Sequence, residues 1–150
     1  MIRDDVKAAQ IAAMKGGDKA TVAATRLIQA AIKNRDIELR TSSATPDDDL
    51  LVTEVLQKMI KQRRESIDMY RKGGREELAA AEEGEVAVIE RFLPRQMSED
   101  EAKAAVDELA TELGAESVKD MGRVMAALKE RFAGQMDMAK ASGLVKARLG

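Results

Sequence analysis

Apolar residues recur through most of the chain at intervals of three and four, the spacing that gathers them on one face of an α-helix. In the first stretch Ile2, Val6, Ala9 and Ala13 share such a face, and Gly16-Gly17 supplies the residue type that ends a helix in a left-handed conformation. Asp18 is placed to cap a longer helix from Lys19 to about Arg40, whose stripe is Ala24, Leu27, Ile28, Ala31 and Leu39. Lys33, Arg35 and Arg40 fall toward its end, where the helix dipole favours cations. After the linker Thr41-Ser42-Ser43-Ala44, the run Thr45-Pro46-Asp47-Asp48-Asp49 reads as a cap, a proline in the first helical position and an acidic first turn. The helix it opens carries Leu51, Val55, Met59, Ile60, Arg63, Ile67 and Tyr70 inward as far as Gly73-Gly74. A fourth helix resumes near Arg75 with Leu78, Ala81, Val86, Ile89 and Phe92, and Pro94 ends it, because proline lacks the amide hydrogen and clashes with the preceding turn.

Pro94-Arg95-Gln96-Met97 is the best candidate boundary, since Ser98 and Glu101 follow at once with the spacing of a capping box. The helix they open presents Ala102, Ala105, Val106, Leu109 and Leu113 and stops at Gly114. Ser117 to Asp120 is a second cap-like run, before a helix with Val124, Met125, Leu128 and Phe132 that stops at Gly134. Asp137 then starts a last helix with Ala141, Leu144, Val145 and Leu149. The expected architecture is all-α: an amino-terminal bundle of about four helices over residues 1–94 and a small three-helix tail over residues 95–150. No alternating pattern of strands is present, and no repeat of solenoid length.

Composition agrees with helices. Apolar residues are 45% of the 150, yet only Tyr70, Phe92 and Phe132 are aromatic, so the core must be built from Ala, Leu, Ile, Val and Met. The acidic start Met1-Ile2-Arg3-Asp4-Asp5 is unlike a secretory signal, and no apolar run approaches the roughly 20 residues needed to span a bilayer. With no cysteine as well, the expectation is a soluble, cytoplasmic protein with no membrane association.

The missing residue types bear most on chemistry. Without cysteine there is no thiolate nucleophile or thiolate metal site, and without histidine the commonest general base and metal ligand are gone. Ser42, Ser43, Ser66, Ser98, Ser117 and Ser142 therefore have no imidazole to activate them. Glu82, Glu83, Glu85 and Glu90 match no metal-binding loop, and a solvated acidic face is expected there. Gly73-Gly74 lacks the strand and lysine of a phosphate-binding loop and reads as a helix break. No catalytic set, cofactor site or metal site is expected.

Charge is segregated along the chain although the total is only −2. Residues 1–40 hold eight basic and five acidic residues, and residues 41–74 hold six of each. Residues 75–112 hold four basic and twelve acidic, whereas residues 113–150 hold seven basic and four acidic. The net-positive tail is where phosphates could be met, with Lys119, Arg123, Lys129, Arg131, Lys140 and Lys146 as the expected contact set and Arg148 beside them. A solvated basic face is the alternative, and with no interleaved aromatic residue any nucleic-acid contact would be to backbone and shape. Met121, Met125, Met136 and Met138 read as gap-filling core or as an adaptable partner surface.

The tail run Val118-Lys119-Asp120-Met121-Gly122-Arg123-Val124-Met125, continuing through Leu128-Lys129, Ala133-Gly134 and Ser142 to Leu144-Val145-Lys146, resembles the GatB/YqeY family. Thr25-Arg26-Leu27-Ile28-Gln29-Ala30-Ala31-Ile32-Lys33 and Glu90-Arg91-Phe92-Leu93-Pro94-Arg95-Gln96-Met97-Ser98 fit it too. The resemblance implies a larger helical part followed by a three-helix tail, and a role like that of the tail of the amidotransferase B subunit, which helps to hold tRNA. It implies Lys119, Arg123, Lys129 and Lys146 as tRNA contacts, and Gly122 and Gly134 as turn or close-approach glycines. Nothing in the chain resembles the catalytic body of that amidotransferase. The expected partners are tRNA and possible co-workers such as an aminoacyl-tRNA synthetase or amidotransferase, with a protein adaptor that binds no nucleic acid as the competing reading.

Overall fold

A computed structural model describes residues 1–42 and 47–150, and among them every regular element is helical. The order is α1 (Ile2–Gly16), α2 (Lys19–Leu39), α3 (Asp48–Lys72), α4 (Glu76–Glu90), α5 (Glu99–Glu112), a 3-10 turn (Val118–Asp120), α6 (Met121–Phe132) and α7 (Met138–Leu149). Residues Met1–Leu93 and Pro94–Gly150 form two compact units. No helix among the described residues is long and apolar enough to cross a membrane.

The helix ends fall where the side chains can satisfy the unpaired backbone groups. Gly17 takes φ 72° and its N–H donates back to the Ala13 carbonyl, closing α1. The Asp18 carboxylate accepts from the Thr21 N–H at 3.1 Å to open α2. At α3 the cap is Asp47, accepting from the Leu50 N–H at 3.2 Å, while the expected cap Thr45 and the expected first-turn Pro46 lie outside the described residues. Ser98 Oγ accepts from the Glu101 N–H at 3.1 Å and Glu101 accepts from the Ser98 N–H at 3.2 Å, completing the capping box. Asp137 caps α7 through the Ala139 N–H at 2.8 Å. Ser117 does not open α6 directly: the chain first makes the 3-10 turn, with Asp120 accepting from the Glu116 N–H at 3.1 Å.

In the amino-terminal unit α1 packs along α2 and α3 along α4, each pair joined by a glycine-containing turn. Val6, Ile28, Ile32, Val52, Leu56, Ile60, Ile67, Ala79 and Ile89 belong to the buried core. Two stripes differ from expectation. Leu27 on α2 is 44% exposed, and the inward positions go to Thr21 and Thr25 instead. Thr25 tolerates burial because its hydroxyl donates to the Thr21 carbonyl at 2.8 Å, leaving its methyl group to pack. On α4 the inward line runs through Ala79, Val86 and Ile89, with Leu78 and Ala81 exposed.

The acidic residues of α4 were expected to form a solvated face, and several instead meet arginines of α3. Arg63 Nε lies 2.9 Å from Glu85 Oε2 and 4.0 Å from Glu82, and its side chain is only 15% exposed. Arg64 pairs with Glu90 at 2.9 Å, and Arg71 pairs with Glu83 and with Glu76. At the other end of this unit Arg3 reaches Asp36 on α2 at 2.7 Å and Asp48 on α3 at 2.8 Å, and the Ile2 N–H donates to Asp49 at 2.9 Å. One side chain of α1 thus ties the end of α2 to the start of α3.

In the carboxyl-terminal unit α5, α6 and α7 each pack against the other two. Val106, Leu109, Ala110, Val124, Leu128, Ala141 and Val145 form the centre of its core. Gly134 is buried at φ 78°, so it carries the turn between α6 and α7 in a conformation that costs other residues energy. The segment before α5 is tied to that turn: Gln96 Nε2 donates to the Gly134 carbonyl, and the Met97 N–H donates to the Gln135 carbonyl at 2.8 Å.

Candidate nucleic-acid interface

The two helices that carry most of the tail's cations have matching sequences. From Asp120 the chain reads Asp-Met-Gly-Arg-Val-Met-Ala-Ala-Leu-Lys-Glu-Arg-Phe, and from Asp137 it reads Asp-Met-Ala-Lys-Ala-Ser-Gly-Leu-Val-Lys-Ala-Arg-Leu. Cation positions coincide: Arg123 aligns with Lys140, Lys129 with Lys146, and Arg131 with Arg148. The environments match as well. Val124 and Ala141 are both buried, as are Leu128 and Val145. The aligned arginines both turn to α5, where Arg131 makes two bonds of 2.8 Å to Glu112 and Arg148 reaches Asp107 at 2.6 Å.

This pairing sorts the expected contact residues into two kinds. Arg131 is neutralised by Glu112, and each shifts the other's titration toward the charged form: their hydrogen bonds hold the Glu112 carboxyl below its ordinary range and raise the Arg131 guanidinium. Arg123, exposed at the start of α6, donates to Asp120 at 2.9 Å and to the Leu113 carbonyl at 3.4 Å. Asp120 is lowered chiefly by the Glu116 N–H and then by Arg123. By contrast Lys119, Lys129, Lys140 and Lys146 are all exposed, and among the described residues none has an acidic side chain within ion-pair distance.

Position explains part of this arrangement without any ligand. Lys129 and Arg131 lie in the last turn of α6, and Lys146 and Arg148 in the last turn of α7, where cations offset the exposed carbonyls of the helix end. Lys140 stands in the first turn of α7, where the same dipole opposes a cation, while Lys119 stands in the three-residue 3-10 turn. Of the four lysines, Lys140 is the one whose place the helix dipole does not favour.

Gly122 is not a turn glycine. It lies within α6, and a Cβ added there would meet open space. Gly134 does act as a turn glycine. Arg148 is the cation that the expected contact set left out, and the match between α6 and α7 is the signal that pairs it with Arg131. That match spans a single helix and its cap, shorter than any solenoid repeat. Among the described residues no three acidic side chains gather as a metal-holding group.

Comparison with known proteins matches residues 2–149 to the family described as "Yqey-like protein". "Altered inheritance of mitochondria protein 41, mitochondrial" of Saccharomyces cerevisiae is 30% identical over 125 residues, which cover 79% of this chain and 64% of that protein. The protein of the same description in Eremothecium gossypii is 34% identical over 92 residues, covering 61% of this chain and 46% of that protein. The chain thus spans less than two thirds of the length of these relatives.

Proposed function

We propose, from the premise that this chain belongs to the YqeY-like protein family, that its carboxyl-terminal unit holds tRNA by the phosphate backbone. One observation carries the reading: four lysines on one small unit stand exposed and unanswered, while the neighbouring arginines 131 and 148 are bound to acids of α5. A lysine is a mobile point charge with no planar fork, suited to phosphates at many angles and poorly suited to reading base edges. The expected mode is therefore sequence-tolerant and strongly salt-dependent. A role beside an aminoacyl-tRNA synthetase or amidotransferase follows from the same resemblance.

The competing adaptor reading relied on the acidic α4 and on the methionines of the tail. Glu83, Glu85 and Glu90 of α4 are paired to α3, Met136 is buried, and Met121, Met125 and Met138 pack partly against the tail core. Those features serve the fold, which favours the tRNA reading. The test is fluorescence anisotropy with bulk tRNA at low salt. The wild-type chain should bind and the Lys129→Glu/Lys140→Glu variant should bind at least about tenfold more weakly, two phosphate contacts being lost. No affinity in the wild type, or equal affinity in the variant, defeats the proposal.

A further inference from the structure

Lys19, Arg26, Lys33 and Arg40 stand seven residues apart along α2 and the residue that follows it. Seven residues fall about 20° short of two full turns and rise about 10.5 Å, so the four cations form a nearly straight row of about 31 Å. All four are exposed, and the buried positions Thr21, Ala24, Thr25, Ile28 and Ile32 occupy the opposite side of the helix. Among the described residues none of the four has an ion-pair partner. The acids nearby have other hydrogen-bond partners, Asp36 in Arg3, Glu38 in Arg35 and Asp18 in Thr21, although Asp36 also attracts Arg40 at the end of the row. This sets the row apart from α3, where Arg63, Arg64 and Arg71 are each met by a glutamate of α4.

A second feature lies at the same place. Where α1 ends and α2 begins, Met14, Gly17, Lys19, Val22, Ala23 and Arg26 line an open cleft of about 350 Å³. Its apolar surface comes from Met14, which is 57% exposed, with Val22 and Ala23, while the first two cations of the row stand on its wall. Apolar surface beside two cations is the combination that accepts a nucleobase with its phosphate, and Arg26 adds a guanidinium plane for stacking. Only an unpaired base can enter such a cleft, because a duplex hides the base faces.

We propose that this face of the amino-terminal unit is a second RNA contact, with the row Lys19, Arg26, Lys33 and Arg40 following the phosphates of a single-stranded stretch and the cleft at Met14 receiving one unstacked base. It rests on the reading that this chain handles RNA, yet it uses no residue of the tail.

The test uses the full chain and a labelled single-stranded RNA of about 12 nucleotides, within the range that single-strand binding surfaces cover. Arg26→Glu/Lys33→Glu should bind it at least about tenfold more weakly, with a salt slope shallower by about 1.4, as two single-strand phosphate contacts require. Lys129→Glu/Lys146→Glu should keep its affinity for this oligonucleotide while losing affinity for tRNA. Met14→Asp should lose severalfold on the single strand and little on a duplex of equal length. Circular dichroism confirms that each variant keeps its helices. Unchanged oligonucleotide binding in Arg26→Glu/Lys33→Glu overturns the inference and leaves the tail reading standing. Unchanged tRNA binding in the tail variant overturns the tail reading and leaves this one standing. Equal binding of single strand and duplex removes the cleft from it. Loss of binding to phosphatidylserine vesicles with oligonucleotide binding intact assigns the row to a membrane surface and overturns it.

Discussion

Arg131 of α6 donates through both terminal guanidinium nitrogens to the two oxygens of Glu112 on α5, each bond 2.8 Å long. A two-bond pair of this kind fixes the arginine's plane and removes most of its charge from the surroundings. Freeing it should therefore strengthen the tail's field more than it harms the fold, since an exposed pair contributes about 0 to 1 kcal/mol. Glu112→Gln combined with Asp107→Asn should tighten tRNA binding severalfold at low salt, read by anisotropy. Unchanged or weaker binding counts against a phosphate-facing tail.

The tail core is small and poor in aromatic residues, so single truncations should be costly. Leu128 is fully buried at its centre. Leu128→Ala should remove about 2 to 5 kcal/mol, a large share of what so small a unit holds. Hydrogen exchange should show lost protection in α5, α6 and α7 with α3 and α4 still protected. Uniform loss across the chain contradicts an independent tail core.

Much of the helix map is legible in the sequence, because ends are written in local chemistry: Gly17, Asp18, Ser98 with Glu101, and Asp137 each act where they stand. Face assignments were less legible. A stripe chosen by hydrophobicity alone admits Leu27 and Leu78, which are partly exposed, and rejects Thr25, which is buried because its hydroxyl bonds within its own helix. The partners of charges on different helices were not legible. That Arg131 belongs to Glu112 and Arg63 to Glu85 depends on packing between elements, and spacing along the chain carries no trace of it.

Gly134 is buried with a positive φ of 78°, and its carbonyl accepts from Gln96. Gly134→Ala places a Cβ where left-handed backbone disfavours one, at a cost of about 1 to 2 kcal/mol. Urea denaturation should show a loss of that size, whereas Gly122→Ala, with open space around its Cβ, should be neutral or mildly stabilising. Equal effects at both positions contradict the assigned turn.

Acid should weaken the tie that Arg3 makes. Its hydrogen bonds hold the Asp36 carboxyl below the ordinary value of 3.8, so the carboxylate is bound more strongly to the folded chain than to the unfolded one. The sign follows: the contribution is fully present above about pH 4 and is lost as pH falls through the lowered folded value. Thermal melts of wild type and Arg3→Ala should differ at neutral pH, by about 1 kcal/mol at most for a pair this exposed, and converge in acid. A difference that grows toward low pH contradicts the assignment.

The most direct measurement of the central claim is the salt dependence of tRNA binding, wild type against Lys119→Gln/Lys129→Gln/Lys140→Gln/Lys146→Gln. If the four unpaired lysines meet phosphates, log K should fall linearly with log salt in the wild type. The slope should flatten by about 2.8 to 3.6 in the variant, at about 0.7 to 0.9 per contact. Equal slopes and equal affinity in the two proteins would show that the tail does not hold tRNA.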